Sequence, residues 1–201
     1  MQVGDRYSLS PTPPSLSLDS EGCFLSRMHP RLSELLDYID RQAAVLQAAY
    51  SAIPADQRTV RPTPDRWSPA EVVHHVVIVE QRLVKRLQQL AEQARALPPE
   101  TDTSSVFTLL DPNRIEIRNN RFKTSELGEP RDTDATRVWS DFEATRGELK
   151  NVIRAADGLA LNEVSAPHPA LGPLTGYGWI AFAGAHAARH AAQITEDAAI
   201  A

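Results

Sequence analysis

The sequence predicts an all-α fold, a four-helix bundle with one long crossover, on three observations. Four stretches carry apolar residues at the 3.6-residue helical period. Proline and glycine clusters separate these stretches. No segment alternates apolar and polar residues strongly enough to compete as a strand, and no internal repeat is visible.

The first helix is expected from about Pro30 to Ala52, where Leu32, Leu35, Leu36, Ile39, Ala43 and Leu46 share a face. Pro54, Pro62 and Pro64 then interrupt it. The second helix has the sharpest start signal. Ser68 is placed to be the N-cap, Pro69 the first helical residue, and Glu71 the partner in a capping box. Its apolar face continues through Val72, Val76, Val79, Leu83 and Leu87, and it should end before Pro98 and Pro99. Residues 98 to about 133 form a polar connection with a basic patch at Arg118, Arg121 and Lys123. A loop this long inside one domain usually has a reason, and a crossover that lets consecutive helices run parallel is one. The third helix is expected from about Asp134 to Ala156, with Val138, Phe142, Leu149, Val152 and Ile153 inward and Asp157-Gly158 at its end. A turn-rich stretch at Pro167, Pro169, Gly172 and Pro173 precedes the fourth helix, from near Thr175 to about Ala198.

A chain of 201 residues with 42% hydrophobic content suits one domain, placed at 30–201, with appendages. Residues 1–29 read as a disordered tail, since Ser10 to Ser15 is rich in helix breakers; a start at Met28 is an open alternative. The net charge of −5 argues against nucleic acid as a partner. No apolar run is long enough to span a membrane or form a signal-peptide core. The lone cysteine, Cys23, excludes an intrachain disulfide and fits a cytoplasmic protein.

Chemistry concentrates in the histidines. His186 and His190 are four residues apart, which stacks their side chains on one helix face with Cβ atoms roughly 5–6 Å apart. Two imidazoles so placed can converge on one ion at bonds of about 2.0–2.1 Å. A third ligand is sought on the second helix, where His74 and His75 point about 100° apart. His75 shares its face with Val72, Val79 and Leu83, so it is the inward one. The competing reading is three structural histidines in a metal-free scaffold. Burying several imidazoles without a partner is costly, which counts against that reading.

Trp67 to His75 followed by Glu80 resembles the second-helix motif of the DinB-like superfamily. The segment from His168 to Thr175, leading into His186 to Ile194, resembles that family's fourth-helix region. The resemblance spans about residues 30–199. It implies an up-down-down-up bundle, often homodimeric, with a divalent metal, zinc or nickel, held by His75, His186 and His190. It also implies one of two activities on a small molecule: thiol transfer with a low-molecular-weight thiol, or hydrolysis. The alternative is a non-catalytic, metal-stabilised dimeric binding or stress-response module.

Other residues are assigned lesser roles. Glu71 lies one turn before His75, but its capping role is the stronger reading. Glu80 is expected at the surface or in a polar contact between helices, and Gln193 and Asp197 are candidates to orient an imidazole. Ala187 stands where zincin proteases carry their glutamate base, so the chain lacks that motif. Arg189 is a candidate for an anionic substrate group against a default of solvation, and Trp67 and Trp179 are read as core anchors.

Overall fold

The computed structural model describes residues 28–98, 101–112 and 128–200. The expected tail up to residue 27 and the basic patch at Arg118, Arg121 and Lys123 lie outside these residues. Among the described residues the α-helices are α1 (Pro30–Ser51), α2 (Pro69–Gln93), α3 (Val138–Ala155) and α4 (Gly176–Ala198). Short 3₁₀ turns lie at Ala55–Gln57 and Val106–Thr108.

The helix ends follow local chemistry. His29 caps α1, its Nδ1 accepting from the Arg31 amide at 3.3 Å. Ser68 and Glu71 close the expected capping box: the Ser68 amide donates to Glu71 Oε2 at 2.8 Å, and the Glu71 amide to Ser68 Oγ at 3.3 Å. Ser68→Ala removes one acceptor for the orphan amides and is expected to cost about 1 kcal/mol, read from urea melts of the two proteins. α3 begins four residues later than the sequence suggests, because Asp134 Oδ1 accepts from the Thr136 amide and hydroxyl and shapes a turn first. It ends where Gly158 takes φ +78°.

Pairings between helices fix their directions. Glu80 of α2 meets Arg146 of α3, and the Leu97 amide beyond α2 reaches the Gly158 carbonyl beyond α3, so these two helices run parallel. Arg66 before α2 meets Asp197 near the end of α4, and Arg86 late in α2 lies over Trp179 early in α4, so these two are antiparallel. Tyr38 of α1 packs at Gly184, and Val45 and Ala52 share a groove with Ala188 and Thr195, so α1 and α4 are parallel. The bundle is therefore up-down-down-up. The crossover between α2 and α3 returns the chain to the end where α2 began. Its first part is held on α1: Arg31 donates to Asp102 and to the Ser104 carbonyl, and Glu34 accepts from Ser105 and the Val106 amide.

A two-stranded antiparallel hairpin departs from the sequence reading: β1 (Ser165–His168) pairs with β2 (Gly172–Thr175). Pro167 faces Pro173 in this ladder, so the composition hides it. Gly172 supplies the φ of +77° at the turn.

α4 is the central helix, buried on nearly every side from Gly176 to Ala187, as an all-round apolar helix should be. Its glycines permit that closeness: a methyl at Gly184 would overlap the Tyr38 ring. The apolar core forms two clusters, one with Leu35, Leu83, Leu149 and Ile180, the other with Leu46, Val73, Phe142 and Ile194. Buried with these clusters is a polar layer made of the three histidines and the Glu80–Arg146 pair.

Candidate metal centre

α2 and α4 present the site. The spacing of His186 and His190 stacks them on the α4 face that meets α2, and His75 faces them from its buried stripe. All three are buried, at 8%, 7% and 5% exposure. His186 Nε2 stands 3.2 Å from His75 Nε2 and 3.1 Å from His190 Nε2. His74 turns aside, as its face predicts, and pairs its Nδ1 with Thr133 Oγ1 at 2.8 Å.

The outer nitrogens settle the protons. His75 Nδ1 lies 2.7 Å from the Gly128 carbonyl, which can only accept, so Nδ1 carries the proton and Nε2 a lone pair. His190 Nδ1 donates to Gln193 Oε1 at 3.0 Å, which likewise leaves a lone pair on its Nε2. Burial, opposed by the Gly128 bond and reinforced by Arg82 and His74, holds the His75 imidazole below its ordinary pKa. Burial, with the neighbouring His190, His75, Arg189 and His168, pushes His186 well below its own.

The donor set fits a divalent cation. A proton on His186 Nε2 would serve only one of the two facing lone pairs and leave the other unpaired in the core. One ion would serve all three. Tetrahedral nitrogen ligands at about 2.0–2.1 Å from an ion stand roughly 3.3–3.4 Å apart, close to the observed separations. His75 and His190 have the outer hydrogen bonds that metal-bound imidazoles ordinarily make. His186 Nδ1 is buried with no hydrogen-bond partner among the described residues.

A family model of the DinB superfamily matches residues 28–194. The chain belongs to the DinB superfamily. The match takes in α2, the crossover and α4 as far as Ile194, and with them all three histidines. A solved structure described as that of TT2238, a four-helix bundle protein, is similar in fold. It is 19% identical, with a TM-score of 0.56, over 82% of this chain and 98% of that one. No functionally curated protein matches the chain at a significant level. This DinB-superfamily chain thus has the fold read from its sequence and a buried histidine cluster compatible with a divalent metal.

The lesser residues sort as follows. Glu71 caps α2 and is gripped by Arg61; burial raises its carboxyl, but the bonds from Arg61 and Ser68 together hold it below the ordinary value. Gln193 orients His190 as its spacing suggested. Asp197 does not; it pairs through Oδ1 with Arg66. Glu80 takes the second of its two expected places, a polar contact between helices, buried against Arg146. Trp67 is half-buried and lies on the His75 ring, with centroids 5.0 Å apart, so it steadies that imidazole as well as the core. Sequence reasoning missed the Gly128 carbonyl, since no side-chain pattern signals where a crossover will run.

Proposed function

We propose that this DinB-superfamily protein is a divalent-metal-dependent enzyme acting on a small molecule, by thiol transfer or hydrolysis, with His75, His186 and His190 holding zinc or nickel. The observation that supports it is the convergence of three Nε2 atoms, two with lone pairs fixed by Gly128 and Gln193. Three protein ligands leave a position open, the pattern of catalytic zinc sites. A bound divalent ion would supply Lewis acidity there, lowering the pKa of a water or thiol. The protein's residues set the imidazole orientations, exclude bulk water and fix the tautomers.

Thiol transfer is the better supported of the two reactions. Hydrolysis wants a base to take a proton from attacking water. The carboxylates singled out on α2 and α4 are engaged: Glu71 by Arg61, Glu80 by Arg146, and Asp197 by Arg66. Asp197 is also seven residues past His190, about 10 Å along the helix. Ala187 occupies the zincin base position. A thiol, ordinarily of pKa about 8.5 against about 15.7 for water, gives up its proton far more readily and so depends less on such a base.

The test is thiol conjugation to an electrophilic aryl halide, run on tag-free protein of measured metal content. Expected is turnover above the solution rate, lost with EDTA and restored by zinc or nickel. Metal-replete protein that neither conjugates thiols nor hydrolyses ester substrates would sink the enzyme reading. The proposal includes a low-molecular-weight thiol partner, a homodimer readable by sedimentation velocity, and a cytoplasmic location. No described helix is long and apolar enough to cross a membrane. The deep burial of the ligands favours a second reading, a metal-stabilised dimeric module without catalysis. A large EDTA-induced fall in Tm with no turnover supports that one.

A further inference from the structure

α2 and α4 carry all three histidines of the cluster, so the spacing of its nitrogens follows from how these two helices stand against each other. A tie between them lies at the end where α2 begins and α4 closes. Arg66 Nη1 donates there to Asp197 Oδ1. The Asp197 side chain is 5% exposed and that of Arg66 29%. An exposed ion pair holds little, because water competes for both charges. A carboxylate shut away from water is held to its guanidinium, since stranding it is costly. Asp197 therefore fixes where Arg66 sits.

Each partner leads to a different histidine. Arg66 is followed by Trp67, whose ring lies on that of His75 with centroids 5.0 Å and planes 41° apart. Ser68, next in line, caps α2 by accepting from the Glu71 amide. Three consecutive residues thus hold the end of α4, the His75 ring and the start of the helix that carries it. On the other side, Asp197 follows His190 by seven residues, with Gln193 between them, so one face of α4 carries all three. Gln193 in turn holds His190 Nδ1 at 3.0 Å. The pair therefore acts on the cluster through Trp67 and through the body of α4, about 10 Å along the helix from His190.

We propose that Arg66 and Asp197 are a positioning pair for the metal centre. They lock the entry of α2 onto the end of α4, seat Trp67 on His75, and so hold the three Nε2 atoms at the spacing one divalent ion takes. The inference rests on the metal-dependent reading above and assigns part of the metal affinity to two residues outside the histidine cluster. The competing role is a structural tie that stabilises the bundle and leaves the site alone.

Four variants of the full chain separate these roles: Asp197→Leu, Arg66→Met, the two combined, and Arg66→Lys. Each would be compared with the unaltered protein for far-UV helicity and urea midpoint without metal. Each would then be titrated with cobalt(II) against a chromophoric chelator of known affinity, a readout that needs no turnover. Asp197→Leu and Arg66→Met should each bind cobalt about tenfold more weakly while staying helical, the low end of what losing a partner outside the coordination sphere costs. The double variant should be no weaker than the weaker single, because the two residues act as one unit. Arg66→Lys keeps a cation on Asp197 and should recover most of the affinity. Lower urea midpoints with unchanged cobalt affinity overturn the positioning role and leave a structural tie. Losses that multiply in the double variant overturn the pair as a unit. Variants none of which folds overturn the proposal too, because the pair then serves the fold and not the site. In all three cases the metal reading stands. An unaltered protein that takes up no cobalt overturns both.

Discussion

Replacing His186 with alanine is expected to empty the metal centre while the bundle stays helical. His186 Nε2 is the atom that approaches both other histidines, at 3.2 and 3.1 Å, so its loss leaves two lone pairs with nothing between them. Alanine suits the site otherwise: Ala185 and Ala187 flank it, and alanine is the best helix former. Elemental analysis of tag-free protein should fall from about one divalent ion per chain to near none, with the far-UV spectrum retained. His74→Ala is the matched control, because His74 bonds Thr133 instead of facing the site, and it should keep its metal. Gln193→Ala should fall between them. It removes only the partner that orients His190, a change that typically weakens metal binding about 10–100-fold. Full metal content in His186→Ala would refute the ligand assignment.

Much of this architecture is legible in the sequence because it depends on local periodicity. His75 is distinguished from His74 by 100° of helix rotation, and His186 and His190 meet because four residues make about one turn. The capping box at Ser68 and Glu71 is likewise local. What stays hidden depends on distant segments. The hairpin joins two four-residue strands whose prolines face each other, so neither strand signals itself. Glu80 is legible as a surface residue or a polar contact between helices, but its partner Arg146 arrives opposite it only once α2 and α3 are known to run parallel. Gly128 contributes a backbone carbonyl, which no residue type announces. His168 nears His186 only because the hairpin folds back along α4. Helix faces are written within one segment; polar partners and the walls of the site are written between segments.

That distinction makes Arg146→Met the most damaging substitution expected away from the histidines. Arg146 is buried and gives Nε to Glu80 Oε2 at 3.0 Å, Nη2 to Glu80 Oε1, and Nη1 to the Ile39 carbonyl at 2.6 Å. It thereby ties α3 to both α2 and α1 within the polar layer. Removing it strands a carboxylate of 1% exposure among apolar side chains. Breaking a buried pair from one side costs about 3–5 kcal/mol, and that loss should appear in the urea midpoint at neutral pH. The pH dependence follows from Glu80. Burial already pushes its carboxyl up, with Arg146 pulling against the shift, so losing the guanidinium raises it further. A carboxyl whose folded pKa lies above its unfolded value of about 4.3 favours folding most below that value, and the benefit fades as pH rises through the folded pKa. The deficit of Arg146→Met should therefore be smallest in acid and grow towards neutrality. Adding Glu80→Leu to Arg146→Met removes the stranded charge, so the double variant should recover most of the loss and the added pH dependence. A single variant as stable as the parent at pH 7, or a double variant no better than the single, would show that the Glu80–Arg146 pair does not bind these helices as its geometry indicates.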